Sequence, residues 1–279
     1  MTASVTTGLE HDWFPVARAA DLVHGNRVRT RLLGRDVQVE KAAEETYRGS
    51  GGLALRERYG LVWACVDPAG SSVPDFAEAD DPAYRSVLCG PFGVSTSGPR
   101  IIENFLDMAH FPYVHTGILG NEPHTEVPDY TVDEAPAAGG VIATDCVFWQ
   151  PATEVLVHGG AMVRYTYRVP RPFMAIFNKL PQAAASHGVA ILLAVQPAEP
   201  ERSIAWMVFC TTNRQPTDAA IRANQDRVFL QDKPILENQI PACLPLDPRA
   251  EMPIRCDRLS VAYRRFLARS GVRFGVIAA

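Results

Sequence analysis

At 279 residues, 47% hydrophobic and 21% charged, the chain can build one large core or a core with a smaller module beside it. A formal net charge of −4 with no basic run gives no electrostatic basis for nucleic-acid binding, and no apolar run approaches the ~20 residues of a membrane helix. Met1-Thr-Ala-Ser-Val-Thr-Thr-Gly lacks the basic and apolar segments of a secretory signal, so a cytoplasmic protein with no membrane partner is expected. The six cysteines are scattered, with no C-x-x-C pair, which in a reducing compartment implies free and mostly buried thiols.

Residues 11–66 read as a small β module. Residues 28–33 and 37–40 show partial alternation, and residues 60–66 form a buried strand stopped by Asp67-Pro-Ala-Gly. Between them, residues 41–52 are polar and glycine-rich and are expected to be a connection. Their Gly49-Ser-Gly-Gly superficially matches a dinucleotide motif, but a strand-like segment follows where a helix is needed. So short a module has a marginal core and is expected to lean on the rest of the chain. Residues 67–95 then hold a proline- and acid-rich linker and a strand leading into a main domain, residues 96–279.

That domain opens on Glu103-Asn-Phe-Leu-Asp-Met-Ala-His-Phe-Pro-Tyr-Val-His115, which sets Asn104, Asp107, His110 and His115 among apolar neighbours. Asp107 and His110 share a face if the segment is helical. The step from His110 to His115 would point the rings apart on an unbroken helix, but Pro112 interrupts the ladder between them. A helix carrying Asn104 to His110 and then turning would return His115 to His110. Two imidazoles against an apolar wall make half of a metal site. The alternative is a core helix whose histidines are merely hydrogen-bonded. Residues 117–128 read as loop, with His124 solvated.

Five strand-like segments occupy residues 141–212, joined by turns such as Pro170-Arg-Pro and Pro197-Ala-Glu-Pro. Connections this short join antiparallel neighbours, since parallel strands need a helical crossover. A long helix is expected over 217–239, N-capped by Thr217, and a second over 257–270 with Leu259, Val261, Ala262 and Phe266 at helical spacing. The fold class is α+β, an antiparallel sheet with flanking helices.

A histidine pair needs a third ligand, and the long helix offers Asp226, Asp232 and Glu237. Asp232 follows Val228-Phe-Leu and nearly abuts Ile235-Leu, so it is the acid best placed to face inward, although an ordinary helix acid would face solvent. Two histidines and one carboxylate leave open positions on non-haem Fe(II), as oxygenases use, whereas zinc with the same ligands would activate water for hydrolysis. These residues do not choose between the metals.

Asn104-Phe-Leu-Asp-Met-Ala-His-Phe-Pro-Tyr-Val-His115 resembles the iron-binding motif of Rieske-type non-haem iron oxygenases. Trp13-Phe-Pro-Val-Ala, Arg31-Leu-Leu-Gly-Arg-Asp-Val and Glu57-Arg-Tyr-Gly-Leu-Val-Trp resemble strands of their Rieske domain. Gln231-Asp-Lys-Pro-Ile-Leu-Glu and Arg255-Cys-Asp-Arg-Leu-Ser-Val-Ala-Tyr resemble the third-ligand segment and the last helix. The resemblance implies a helix-grip catalytic domain, with His110, His115 and Asp232 holding mononuclear Fe(II). Asp107 would relay electrons, and Asn104 would support the ligands.

The family's cluster is held by a C-x-H pair and a later C-x-x-H pair. Before residue 104 this chain has only His11, His24, Cys65 and Cys89, in neither spacing, so it resembles a subunit without a 2Fe-2S cluster and with a β remnant of the Rieske domain. Hydroxylation by dioxygen takes two external electrons. The implied partner is therefore a separate reductase with Rieske/2Fe-2S and flavin centres, within a trimer-based homo- or hetero-oligomer. Ile118-Leu-Gly-Asn-Glu-Pro, Thr125-Glu-Val and Gly271-Val-Arg-Phe-Gly are most similar to the cluster-less catalytic subunits of methylxanthine N7-demethylation. The implied activity is oxidative N-demethylation of a methylxanthine-like heterocycle with release of formaldehyde. Alternatives are O-demethylation or ring hydroxylation of an aromatic acid, or a non-catalytic structural subunit. A heterocycle needs an apolar slot with a few polar partners. Asn178, Trp206, Asn224 and Gln225 are residues of the right type.

Overall fold

The β-branched and aromatic runs near the N-terminus form six strands: β1 (Phe14–Arg18), β2 (Arg27–Leu32), β3 (Arg35–Ala43), β4 (Thr46–Gly49), β5 (Ala54–Arg58) and β6 (Leu61–Cys65). They make two antiparallel sheets, ordered β1-β6-β5 and β2-β3-β4. The computed structural model describes residues 7–23, 25–43, 46–137, 139–154, 157–181 and 187–278. Residues 41–52, expected to be a connection, instead belong largely to a hairpin in which Lys41 pairs with Tyr47 and Glu40 with Arg48. Polar composition misleads there because β4 is solvent-facing, and charged side chains are the usual dress of such strands.

The main sheet holds β7 (Arg85–Val94), β8 (Thr131–Asp133), β9 (Val141–Glu154), β10 (Val157–Arg171), β11 (Met174–Pro181), β12 (Val189–Glu199) and β13 (Arg202–Thr211). Its order is β7-β13-β12-β11-β10-β9-β8, antiparallel throughout as the short turns require. Both faces are covered, so its central strands are almost continuously apolar. On β12, Ala190, Leu192 and Ala194 pack with Trp13, Trp63, Val73 and Phe76 of the preceding chain. The alternate residues Val189, Ile191 and Leu193 face the helical side. The N-terminal strands lean on this sheet as expected. At the β2–β3 turn, the Leu33 and Gly34 N–H groups donate to the Pro197 and Ala198 carbonyls at 2.7 and 2.9 Å.

The helical elements are α1 (Ala77–Asp80), α2 (Gly98–Leu106), α3 (Phe111–Val114), α4 (Asp218–Asn238) and α5 (Arg258–Arg269). Thr217 caps α4, its Oγ1 accepting from the Ala220 N–H at 3.1 Å. Among the described residues no helix is long and apolar enough to cross a membrane. All six cysteines are free and four are buried, as expected.

A four-charge network locks α2 to α5. Arg264 of α5 grips Glu103 of α2 with two bonds, 2.6 and 3.0 Å, and also meets Glu251. Arg100, buried on α2, reaches Glu251 at 2.5 Å and Glu103 at 3.3 Å. Two guanidiniums and two carboxylates balance one another, and removing one acid would strand positive charge in the interior. Glu103→Ala should therefore lower unfolding stability by about 3–5 kcal/mol, read by chemical denaturation. A loss below ~1 kcal/mol would mean that water screens the network.

Candidate metal centre

α2 ends at Leu106, four residues short of the helix expected to reach His110. Asp107 has extended backbone, φ −76° and ψ 129°, while its N–H still closes the last turn onto the Glu103 and Asn104 carbonyls. Its Oδ1 accepts from the Ala109 N–H at 2.8 Å, an Asx turn that stops the helix from continuing. Its Oδ2 lies 3.0 Å from His110 Nδ1. Asp107 and His110 thus meet across a turn rather than along a helical face.

Pro112 begins a helix rather than breaking one. It is the second residue of α3, where a missing N–H is no loss. One turn of α3 reverses the chain, so the His110 and His115 ring centroids lie 5.0 Å apart and their Nε2 atoms 3.2 Å apart. The Ile118 and Leu119 N–H groups close on the His115 carbonyl at 2.9 and 3.0 Å. Gly120 then crosses the start of α3 so closely that a Cβ there would lie 2.6 Å from Pro112 N, which demands glycine.

α4 supplies the rest. Asp232 Oδ1 lies 3.1 Å from His115 Nε2 and 3.5 Å from His110 Nε2. Its neighbour Gln231 presents Oε1 to His115 Nδ1 at 2.9 Å. The other two acids considered from sequence stay outside the cluster. Glu237 accepts from the Ser95 N–H at 2.9 Å and from Lys233, and Asp226 is not among the three clustered residues.

Both histidines have Nδ1 facing an oxygen acceptor, so Nδ1 carries the hydrogen and Nε2 is left as a lone pair. Asp232 Oδ1 is buried with no hydrogen-bond partner among the described residues. Three acceptors therefore converge, His115 at 1% exposure and Asp232 at 8%, with no donor between them. A divalent ion about 2 Å from each donor atom needs the atoms roughly 3 Å apart, which these distances meet. Burial opposes charge on the His115 ring, but the adjacent Asp232 carboxylate overrides it and lifts the imidazole pKa above its ordinary value. Burial likewise opposes charge on Asp107, yet the bonds from His110 and the Ala109 N–H hold its carboxyl below the usual range.

A cavity adjoins the cluster. His110, His115 and Asp232 form part of its wall, with Phe105, Ile191 and Phe229 among the apolar remainder. Asn104, Asn224 and Gln225 line it, as do Tyr165, Tyr167 and Lys179, which sequence reasoning missed. Asn178 and Trp206 do not. Asn178 donates to Glu78, and Trp206 donates to Gln196 Oε1 at 3.3 Å on the opposite face of the sheet. Strand parity carried that signal, because Phe177, Lys179 and Met207 are the inward members of the same strands. His124 is exposed and stacks on Trp149 at 4.4 Å.

A proton on His115 Nε2 would compete with a metal for the same lone pair, so metal affinity should rise with pH. The sign follows from the raised pKa: below it a proton competes for the lone pair, and above it the competition ends. Metal titrations at a series of pH values should show affinity tightening as pH rises through the raised His115 pKa and levelling above it. A flat profile would contradict it.

Residues 94–272 match the profile of the family described as vanillate O-demethylase oxygenase C-terminal domain. The chain is 43% identical over 271 residues to a probable methylxanthine N7-demethylase, NdmC, of Pseudomonas sp. (strain TJI-51), covering 95% of each. It is 27% identical over 214 residues to the methylxanthine N1-demethylase NdmA of Pseudomonas putida, covering 76% of this chain and 58% of that one. The structure of NdmA from Pseudomonas putida CBB5 with caffeine shares the fold, with a TM-score of 0.75 at 22% identity over 94% of this chain and 90% of that one. The chain belongs to the vanillate O-demethylase oxygenase C-terminal domain family and is an oxidoreductase of the Rieske-type oxygenases.

Proposed function

We propose that this chain is the catalytic subunit of an iron-dependent monooxygenase that removes an N-methyl group from a methylxanthine-like heterocycle. The observation that carries the proposal is the convergence of the His110, His115 and Asp232 lone pairs on the wall of an apolar cavity, in a chain 43% identical to a probable N7-demethylase. Mononuclear Fe(II) held by these three residues would supply oxidation of a methyl C–H bond by dioxygen, with two external electrons and the second oxygen atom leaving as water. The hydroxymethyl product is a hemiaminal. Its C–N bond breaks, the carbon leaves as formaldehyde, and the nitrogen regains a proton.

Phe105, Phe111, Ile191 and Phe229 exclude water and offer flat apolar contact to a fused ring. Asn224 and Gln225 on α4 bring amide donors and acceptors to the same wall, suited to ring carbonyls and nitrogens. One observation favours the aromatic-acid alternative: the Lys179 ammonium, held 5.8 Å over the Tyr165 ring, brings positive charge to the cavity.

Asp107 gives the centre its route outward. Its side chain is 33% exposed while its Oδ2 holds His110, and it opens on a second cavity shared with Arg100, Glu103 and Asp257. Ile240 and Met252 line that cavity at 93% and 92% exposure. These features support electron delivery at Asp107 by a separate protein; the donor proposed is a reductase with Rieske/2Fe-2S and flavin centres, and the assembly proposed is a trimer-based oligomer. Asn104 lines both cavities and would support the ligands between them. Residues 1–66 fit a Rieske-like module without a cluster, residues 67–95 a linker, and residues 96–279 the catalytic domain.

The test is formaldehyde release by iron-loaded protein coupled to a Rieske-containing reductase, with methylxanthines and methoxybenzoates as substrates. Release from N-methyl substrates is expected. Release from methoxybenzoates alone would transfer the assignment to an O-demethylase, and no turnover by iron-bearing protein would favour a structural subunit. Asp232→Ala should lose its iron on metal analysis. Asp107→Asn keeps an oxygen for His110 Nδ1–H, so it should retain iron but lose coupled turnover at least ~10-fold. Full activity in that variant would remove the relay role.

A further inference from the structure

Two consecutive residues of α4 hold one imidazole from opposite sides. Asp232 Oδ1 stands 3.1 Å from His115 Nε2, and Gln231 Oε1 stands 2.9 Å from Nδ1 of the same ring. Consecutive residues leave a helix about 100° apart, so both reach the ring only because it is wedged against the helix at that step. The two histidines are supported unequally. His110 Nδ1 faces the carboxylate of Asp107, whereas His115 Nδ1 faces a neutral amide.

We infer that Gln231 is a positioning residue of the metal centre, whose neutral carbonyl fixes the Nδ1–H tautomer of His115 without adding a second supporting charge. The inference rests on the metal reading proposed above. Its first half follows from tautomerism. If Nδ1–H lost its acceptor, the proton could move to Nε2, the atom that must face the metal. Its second half follows from charge. A ferrous ion balances the carboxylates of Asp232 and Asp107, and in so buried a place unbalanced charge is costly. A third carboxylate at residue 231 would balance the ferric ion instead. Glutamine therefore biases the centre toward the ferrous state, the form to which dioxygen binds.

Cobalt(II) is a probe that needs neither substrate nor reductase. Full-length wild-type protein, Gln231→Leu and Gln231→Glu would be titrated with cobalt(II), and the imidazole N–H protons followed by paramagnetic NMR. Wild type should give two shifted, exchangeable N–H signals. Gln231→Leu should lose the His115 signal to solvent exchange and bind cobalt about 10–100-fold more weakly. Gln231→Glu, which keeps the acceptor, should retain both signals, and after iron loading its midpoint potential should fall below that of wild type.

Wild-type affinity and both signals in Gln231→Leu would overturn the tautomer role. An unchanged or raised potential in Gln231→Glu would overturn the charge role, and this variant carries the test if Gln231→Leu fails to fold. Wild-type protein that binds no cobalt would instead overturn the metal reading beneath both.

Discussion

Lone pairs on His110 Nε2, His115 Nε2 and Asp232 Oδ1 point into one volume at separations of 3.1 to 3.5 Å. None can donate to another once both rings carry hydrogen on Nδ1, and little water reaches them to screen the repulsion. Left alone, such a cluster relaxes by taking up a proton, which is the direction in which the His115 ring is pushed. A cation relieves the same repulsion more completely. The Asx turn at Asp107, the single turn of α3, the glycine at residue 120 and the amide of Gln231 all act on this point, by fixing which ring atom faces inward.

Holding acceptors together against their repulsion requires a scaffold that does not yield. α4 is tied along its length to β7 and the residue that follows it. Arg222 donates to the Leu88 carbonyl at 3.1 Å, Lys233 to the Gly93 carbonyl at 2.7 Å, and Glu237 accepts from the Ser95 N–H at 2.9 Å. α2 is held separately, through the Arg100–Glu103–Arg264–Glu251 network to α5. The histidines hang from the end of α2 and the carboxylate from α4, so the cluster spans two independently anchored helices. Rigidity comes from their common seating on a sheet whose other face is also covered.

The same layout separates two environments around one centre. Toward the sheet, aromatic and aliphatic side chains of β10–β13 make a largely apolar cavity, in which electrostatic contacts are stronger than in water. Toward α5, Asp107 opens on a charged and partly solvated recess whose rim carries exposed aliphatic side chains. Substrate chemistry and electron delivery have opposite needs, the first excluding water and the second requiring access for a partner. Asn104, lining both spaces, sits at the border.

Much of this was legible in the chain itself. Five β segments with short turns read as antiparallel neighbours, and Thr217 marks the start of α4; both are local signals, set by periodicity, capping and turn length. The spacing of His110 and His115 offers half of a candidate metal site, and the set His110, His115 and Asp232 is what the resemblance to the iron oxygenases implies. The sequence alone did not reveal where α2 stops, because the Asx turn at Asp107 competes with a helix by one or two hydrogen bonds. Nor did it reveal that Asn178 and Trp206 face away from the cavity, since that depends on strand parity relative to the helices. Gln231 lies 116 residues from the ring it supports, and Gly120 is required only because α3 passes beneath it. Periodicity and capping act between neighbours, whereas tautomer, parity and close approach are properties of surfaces that meet only when sheet and helices pack.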